Sequence, residues 1–368
     1  MAVPQHAMTN DELAQRVDTS DEWIRSRTGI AERRVAGNGE TTATLAIEAA
    51  RAALAVADAD PREIDLIIVG TATPDHPMPS TACRVQDALG AKRAGAYDLN
   101  AGCSGFVYAL IAGHQAIASG EHGLVLVIGA DTLTRTLDWE DRSTCILFGD
   151  GAGAVLLRAG EGPGGVLATV MGSDGSGGEL LIIPAGGSAL PASAETVAGR
   201  QHYLQMNGRE VFRFAAGVVP QAIEQVAARA GLAVEDVDLI IPHQANQRII
   251  EAAAKRIKLP EERFVVNLAR YGNTSAASVP IALCEALAEG RIQAGQHIVL
   301  VGFGAGLTWA AALLRWRAAV LPPAVPFYHR WLRDVIYSWA ALRRRVLHIS
   351  RRLGAWFVRQ AGGPWHKR

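Results

Sequence analysis

The sequence repeats itself, and the repeat limits what the chain can fold into. Residues 46–69 read AIEAARAALAVADADPREIDLIIV, and residues 222–241 read AIEQVAARAGLAVEDVDLII. Each is an alanine-rich stretch with helical spacing, a short acidic turn, and then Asp-Leu-Ile-Ile, an unbroken apolar run of strand length. A second pair follows in the same order. Residues 97–130 run from AYDLNA through the turn GCSG and an apolar helix to LVLVIGA, and residues 265–304 run from VVNLA through YGNTSAAS and an apolar helix to IVLVGFG. Two copies of one α/β unit predict two halves about a pseudo-twofold axis, residues 1–160 and 161–320. Their strands are continuously apolar, so both faces of each sheet need helices. The expected architecture is α/β, layered αβαβα.

In parallel sheets, ligands gather beyond the carboxyl ends of the strands. Cys103, His243 and Asn273 each follow a predicted strand, and the twofold brings those ends together. Cys103 lies in Asn-Ala-Gly-Cys-Ser-Gly at the start of a helix, where free N–H groups and the helix dipole favour a thiolate. A buried structural cysteine fits the spacing equally well. His243, in Pro-His-Gln-Ala-Asn, can donate to a developing oxyanion or serve as an ordinary loop histidine. Asn273 is a natural helix N-cap, and its symmetry with Cys103 marks it out. A backbone N–H in Gly302-Phe303-Gly304-Ala305-Gly306, at Ala305, is expected to complete an oxyanion cradle with the N–H of Cys103.

Other chemistries lack their signatures. The four cysteines, Cys83, Cys103, Cys145 and Cys284, form no CxxC pair, which argues against a disulfide framework or zinc site. There is no P-loop, HExxH or GxSxG, and the glycine-rich turns lack the context of a dinucleotide site. The first residues carry no apolar signal core, and no stretch approaches the roughly 18 uncharged apolar residues of a membrane span, so a cytoplasmic protein is expected. With 49% hydrophobic and 20% charged residues the chain reads as a packed globular protein. Its zero net charge is split, −9 over the first 320 residues and +9 from Leu321 onward, which sets the tail apart as a third segment, 321–368.

Taken together, Asp18-Thr19-Ser20-Asp21-Glu22-Trp23-Ile24, Arg27-Thr28-Gly29-Ile30, AGCSGF around Cys103, FGDGAGA, PHQAN and GNTSAAS resemble the β-ketoacyl-acyl carrier protein synthase III family, from about Thr9 to Trp316. The resemblance implies a thiolase-like five-layer fold and an acyltransferase: a cytoplasmic homodimer with no metal or redox cofactor and no nucleic-acid partner. Its reaction is a decarboxylative Claisen condensation of an acyl-CoA primer with malonyl-acyl carrier protein, the step that initiates type II fatty-acid biosynthesis. It implies Cys103 as acylated nucleophile and His243 with Asn273 at the decarboxylation site. It places Trp23 and Arg142 about the CoA adenine and Arg27 near its phosphates. Arg213, Gln244, Arg248, Lys255 and Arg256 fall at carrier-docking positions. Met78 falls at the acyl pocket, where its flexibility suits a longer or branched primer. A secondary-metabolism (polyketide-type) ketosynthase, a non-decarboxylating acyltransferase or a catalytically impaired scaffold would share much of this pattern.

Two segments depart from the family. A strand and glycine-rich turn are expected ahead of Pro4, so the first core strand reads as missing, through a misassigned start codon or a truncation. At the other end, Pro322, Pro323 and Pro326 form a linker to a predicted helix with an apolar seam, Leu332, Val335, Trp339, Leu342, Val346, Ile349, Leu353 and Trp356, among Arg343, Arg344, Arg345, Arg351 and Arg352. A basic amphipathic helix on anionic lipid, a partner- or carrier-binding helix, a helix against the acidic body and a translated frameshift all fit it.

Overall fold

The computed structural model describes residues 1–317 and 327–360, so the proline linker lies outside the described residues. The first sheet takes β1 (Leu66–Gly70), β2 (Gly95–Leu99), β3 (Leu124–Thr132) and β4 (Asp150–Arg158) in the order β2-β1-β3-β4. β1 is parallel to β2 and β3, and β4 is antiparallel to β3. The second sheet takes β5 (Gly165–Ser173), β6 (Leu239–Pro242), β7 (His297–Gly304) and β8 (Thr308–Arg315) in the order β6-β7-β8-β5. β6 and β7 are parallel, and β8 is antiparallel to both its neighbours. Thus β1-β3-β4 and β6-β7-β8 are copies of one motif, each opened by the repeated Leu-Ile-Ile.

The copies differ at both outer edges. β2 flanks β1, whereas among the described residues β6 meets only an isolated bridge between Ile240 and Phe264, and the run before Asn273 forms the short helix Leu268–Tyr271 in place of the expected strand. At the other edge β5 flanks β8 along its whole length, whereas the equivalent edge of β4 meets a bridge between Ala2 and Ala152.

The helices that matter are α1 (Asp21–Thr28), α2 (Thr42–Ala57), α3 (Thr81–Leu89), α4 (Gly105–Ala118), α5 (Gly208–Arg229), α6 (Gln247–Ile257), α7 (Ser278–Ala288) and α8 (Phe327–Gln360). Strand side chains alternate between faces, and here that alternation sorts the layers. Ile67 and Val69 of β1 pack with Leu45 and Leu54 of α2 and Val85 of α3. Ile68 points the other way, to Phe106 and Leu110 of α4, Val279 and Leu283 of α7, and Ile298 of the second sheet. Val299 and Val301 of β7 then face Ile223 and Val226 of α5 and Ile249 and Ile250 of α6. The result is the five-layer order expected: α2 and α3, sheet, α4 and α7, sheet, α5 and α6.

The halves interlock across the sequence boundary. Met8, Leu13, Ile24 and Ile30, all before residue 160, pack into the outer core of the second sheet. Arg33, fully buried, ties this segment down by donating to Met8 O (3.2 Å), Asn10 Oδ1 (2.7 Å) and Ile146 O (2.9 Å).

α8 returns to the body and docks on α2 and α3. The buried Arg333 donates to Asp58 Oδ1 (2.6 Å), and His329 Nδ1 donates to the other oxygen (2.7 Å). Arg51 lies 4.7 Å from the Tyr337 ring, Ile336 covers Gly90, and Arg344 reaches Asp87 (3.4 Å). The docked face is therefore His329, Arg333, Ile336, Tyr337, Ala340 and Arg344. This corrects the seam as a packing surface: Leu332 and Val335 are half-buried, but Trp339, Leu342, Val346, Ile349 and Trp356 are exposed. The side chains of Arg351, Arg352 and Leu353 lie outside the described residues.

Candidate active site

The turn after β2 depends on close backbone approach. Gly102 has φ +54°, and a Cβ there would stand 2.9 Å from Ala305 N. A Cβ on Gly304 would stand 2.6 Å from Cys103 N. Two missing side chains thus let the cysteine turn lie against the turn after β7, bringing Cys103 and Ala305 together. Thr308 Oγ1 stitches the pair, within 2.8 Å of Ala101 O and 2.9 Å of Ala305 O. Cys103 sits 7% exposed, just ahead of α4.

The second half supplies the facing side. β6 ends at Pro242, and the buried His243 follows it, its ring edge-on to Phe303 with centroids 5.0 Å apart. Nδ1 of His243 is 2.6 Å from Ser278 Oγ, in the first turn of α7. Asn273 accepts at Oδ1 from Ser275 N (2.9 Å), which leaves its NH2 group for a ligand oxygen. Ser275 Oγ donates to Cys103 Sγ (3.4 Å), so the symmetry-related turns touch. Beneath them Asp131, buried at the end of β3, accepts from Thr71, Thr73 and the backbone N–H of Ala72 and Ala276, tying the two halves together.

One cavity of about 540 Å³ is lined by all three predicted residues, Cys103, His243 and Asn273. It extends past Phe148, Leu181, Met206 and Phe212 to Trp23, Arg27, Arg209 and Arg248. The arginines are exposed and the three inner residues are buried, so the cavity has an apolar shaft and a basic mouth. At that mouth Arg142 stacks on Trp23 at 4.7 Å and Arg27 lies 5.0 Å from the same ring. Both arginines thus lie over the same indole ring.

Burial sets the protonation of the inner residues. It pushes the Cys103 thiol up to about 12, with nearby Asp131 adding to the rise, against a hydrogen bond from Ser275. The thiolate expected from the helix N-terminus is therefore not the resting form. Burial also lowers His243 to about 3, so its imidazole is neutral at working pH. Because thiolate is the reactive form, alkylation of Cys103 in a Cys83→Ser, Cys284→Ser background should quicken roughly tenfold per pH unit between about pH 7 and about pH 9. Intact mass would follow it; a plateau in that range would mean the sulfur is already ionised.

Two expected site residues lie elsewhere. Gln244 is 1% exposed, donates to Pro242 O (2.8 Å) and Val265 O (2.9 Å) and accepts from Asn267 N (2.9 Å), so it braces the loop and cannot meet a carrier protein. Met78 is 83% exposed and lines no part of this cavity in its own chain. Arg213, Lys255 and Arg256 are exposed on α5 and α6 beyond the mouth, with Arg213 paired to Glu210. Sequence reading passed over Arg209, Ser275, Ser278 and Asp131. The two serines stand within GNTSAAS, where a hydroxyl two or five residues after the candidate amide was the available signal.

The layered duplicated fold, with a cysteine, a histidine and an asparagine converging at its centre, defines a thiolase-like condensing enzyme. Comparison with known proteins narrows the class. The family model for 3-oxoacyl-[acyl-carrier-protein] synthase III matches residues 97–175, and that for its C-terminal part matches residues 227–316. A β-ketoacyl-[acyl-carrier-protein] synthase III of Symbiobacterium thermophilum is 54% identical over 316 residues, 86% of this chain and 96% of that protein. The crystal structure of 3-oxoacyl-[acyl-carrier-protein] synthase III from Aquifex aeolicus matches with TM-score 0.79 at 48% identity, over 86% of this chain and 97% of that one. The priming β-ketosynthase of the R1128 polyketide pathway matches with TM-score 0.80 at 37% identity, over 87% and 94%. The chain belongs to the β-ketoacyl-acyl carrier protein synthase III family: it is an acyltransferase of the initiating condensation in fatty-acid biosynthesis. The polyketide-type alternative is not favoured, its representative being less similar.

Proposed function

We propose that the cavity joins an acyl-CoA primer to malonyl-acyl carrier protein, giving 3-oxoacyl-carrier, CO2 and CoA, with Cys103, His243 and Asn273 as the catalytic residues. The observation that carries this is one cavity lined by all three and running out to Trp23 and the basic mouth. Arg27, Arg142 and Trp23 take the CoA nucleotide. Arg209, Arg213, Arg248, Lys255 and Arg256 attract the acidic carrier, whose encounter rate long-range charge raises.

The chemistry runs on side chains and thioesters, without a metal or redox cofactor. Sγ of Cys103 attacks the acyl-CoA carbonyl while its proton passes to the departing CoA sulfur, and the N–H groups of Cys103 and Ala305 hold the tetrahedral oxyanion. Malonyl-carrier then enters. Its C–CO2 bond breaks, and the electron pair moves into an enolate whose oxygen accepts from Asn273 Nδ2 and His243 Nε2. Ser278 Oγ lies 2.6 Å from Nδ1 of His243, and in this mechanism it donates there and so keeps the imidazole proton on Nε2. The enolate carbon attacks the acyl-cysteine, and the sulfur leaves as thiolate and takes a proton from solvent to restore the resting thiol.

The reading extends to assembly. The chain acts in the cytoplasm as a homodimer, which gives the exposed Met78 a surface to cover, and its tail makes a peripheral membrane contact. Among the described residues no helix is long and apolar enough to cross a membrane. The deciding experiment measures labelled CO2 from malonyl-carrier with and without acyl-CoA, alongside the 3-oxoacyl product. Acylation of Cys103 without CO2 release would leave a plain acyltransferase; neither event would leave an impaired scaffold.

A further inference from the structure

We propose that α8 lays the enzyme on an anionic membrane surface, through the apolar stripe it turns away from the body, with the carrier-docking face pointing the other way. The matched family model ends at Trp316, so it assigns nothing to this helix. Residues three and four apart share a helix face, and positions two apart fall on nearly opposite sides. The docked set His329, Arg333, Ile336, Tyr337 and Ala340 is one such face. Trp331, Val335, Trp339, Leu342, Val346 and Ile349 keep the same spacing two residues out of step, on the far side. Of these, Trp331 is 58% exposed, Trp339 67%, Leu342 52%, Val346 55% and Ile349 59%. Because Arg333 and His329 anchor the helix to Asp58, this stripe cannot turn inward without breaking a buried ion pair.

Charge selects the occupant. The helix carries eight arginines and one aspartate, and it keeps an excess of five positive charges after Asp58 and Asp87, its partners on the body, are counted against it. Beside the stripe runs a groove of about 650 Å³ with Val335, Ile336 and Trp339 as apolar wall. Lys92, Arg93 and Arg343 stand at its rim, Arg93 beside Asp65 and Arg343 beside Asp87. Exposed indoles and aliphatics flanked by arginine suit the boundary between lipid headgroups and acyl chains. The helix is too polar to span, so it lies in the plane of the surface. Orientation follows from the layers: α8 sits on α2 and α3, at the opposite side of the five-layer stack from α5 and α6. The lipid contact deepens the proposed membrane contact of the tail, and the orientation rests as well on the proposed carrier-docking reading.

The test is co-sedimentation of the full chain with vesicles of equal parts phosphatidylglycerol and phosphatidylcholine, and with phosphatidylcholine alone. Binding should favour the anionic vesicles at least about tenfold, and Leu342→Glu, Val346→Glu and Ile349→Glu together should weaken it at least about tenfold. These exposed substitutions should leave condensation activity unchanged, which shows that the variant is folded. Cys103→Ala should bind vesicles like the parent, so failure of the catalytic reading and failure of this one are told apart. No binding to anionic vesicles, or equal binding by the triple variant, overturns the proposal. So does a stripe that pairs two copies instead, seen as a smaller assembly of the triple variant in sedimentation velocity with no vesicle binding by the parent.

Discussion

Cys103→Ala should lower condensation by on the order of a thousandfold or more, the usual cost of deleting a covalent nucleophile. Intact mass after incubation with acyl-CoA should show one acyl adduct on the parent and none on the variant. Among the cysteines Cys103 alone lines the cavity: Cys145 is buried in the outer core of the second sheet, Cys83 is exposed on α3, and Cys284 lies within α7. No second sulfur can take over. The loss should nevertheless be selective. Cleavage of the malonyl C–CO2 bond needs donors for an enolate oxygen, and in the proposed mechanism those belong to His243 and Asn273, not to the sulfur. The variant should therefore release CO2 from malonyl-carrier while forming no 3-oxoacyl product. Retention of the adduct by the variant would place the acyl group on another residue and end the assignment.

Much of this was legible before any coordinates. The duplicated Asp-Leu-Ile-Ile predicted the paired sheets because a buried parallel strand has to be apolar on both faces. Cys103, His243 and Asn273 stood out because each follows a predicted strand, although the run before Asn273 folds instead as an isolated bridge and the short helix Leu268–Tyr271. What stayed hidden depends on contacts far apart in the chain. PHQAN does not say which of its polar side chains turns inward, and Gln244 does so because the backbone of Val265 and Asn267, more than twenty residues on, needs partners. Periodicity revealed an apolar stripe on α8, but the packed face was decided by Asp58, 275 residues before Arg333. A helix start argued for a thiolate, and the weight of burial around the sulfur appears only once both halves close over it. Met78 was placed by resemblance to a pocket that its own chain does not offer it.

Asn273→Ala should separate the two half-reactions more sharply than any other single change. Its carbonyl oxygen is already engaged by Ser275 N, so the amide can meet the substrate only as a donor. Removing a donor aimed at developing negative charge in a water-poor site costs about 10²–10³ in rate. CO2 release and condensation should fall by that factor, while acylation of Cys103 by acyl-CoA, measured by single-turnover mass analysis, stays within about threefold of the parent. Asn273→Asp should be worse than alanine, because it sets a carboxylate against the enolate. His243→Ala should match Asn273→Ala, and the double variant should lose far less than the product of the two, since one donor alone holds the enolate poorly. Ser278→Ala should cost less than either and be rescued by Ser278→Thr, because the hydroxyl acts only through the imidazole tautomer. The pH profile gives an independent check. Burial keeps His243 near 3, and its charged form appears only below that value, so CO2 release should not lose or gain a histidine titration between about pH 5 and about pH 8. If Asn273→Ala and His243→Ala depress acylation and CO2 release equally, the pair supports the architecture of the site and not the enolate.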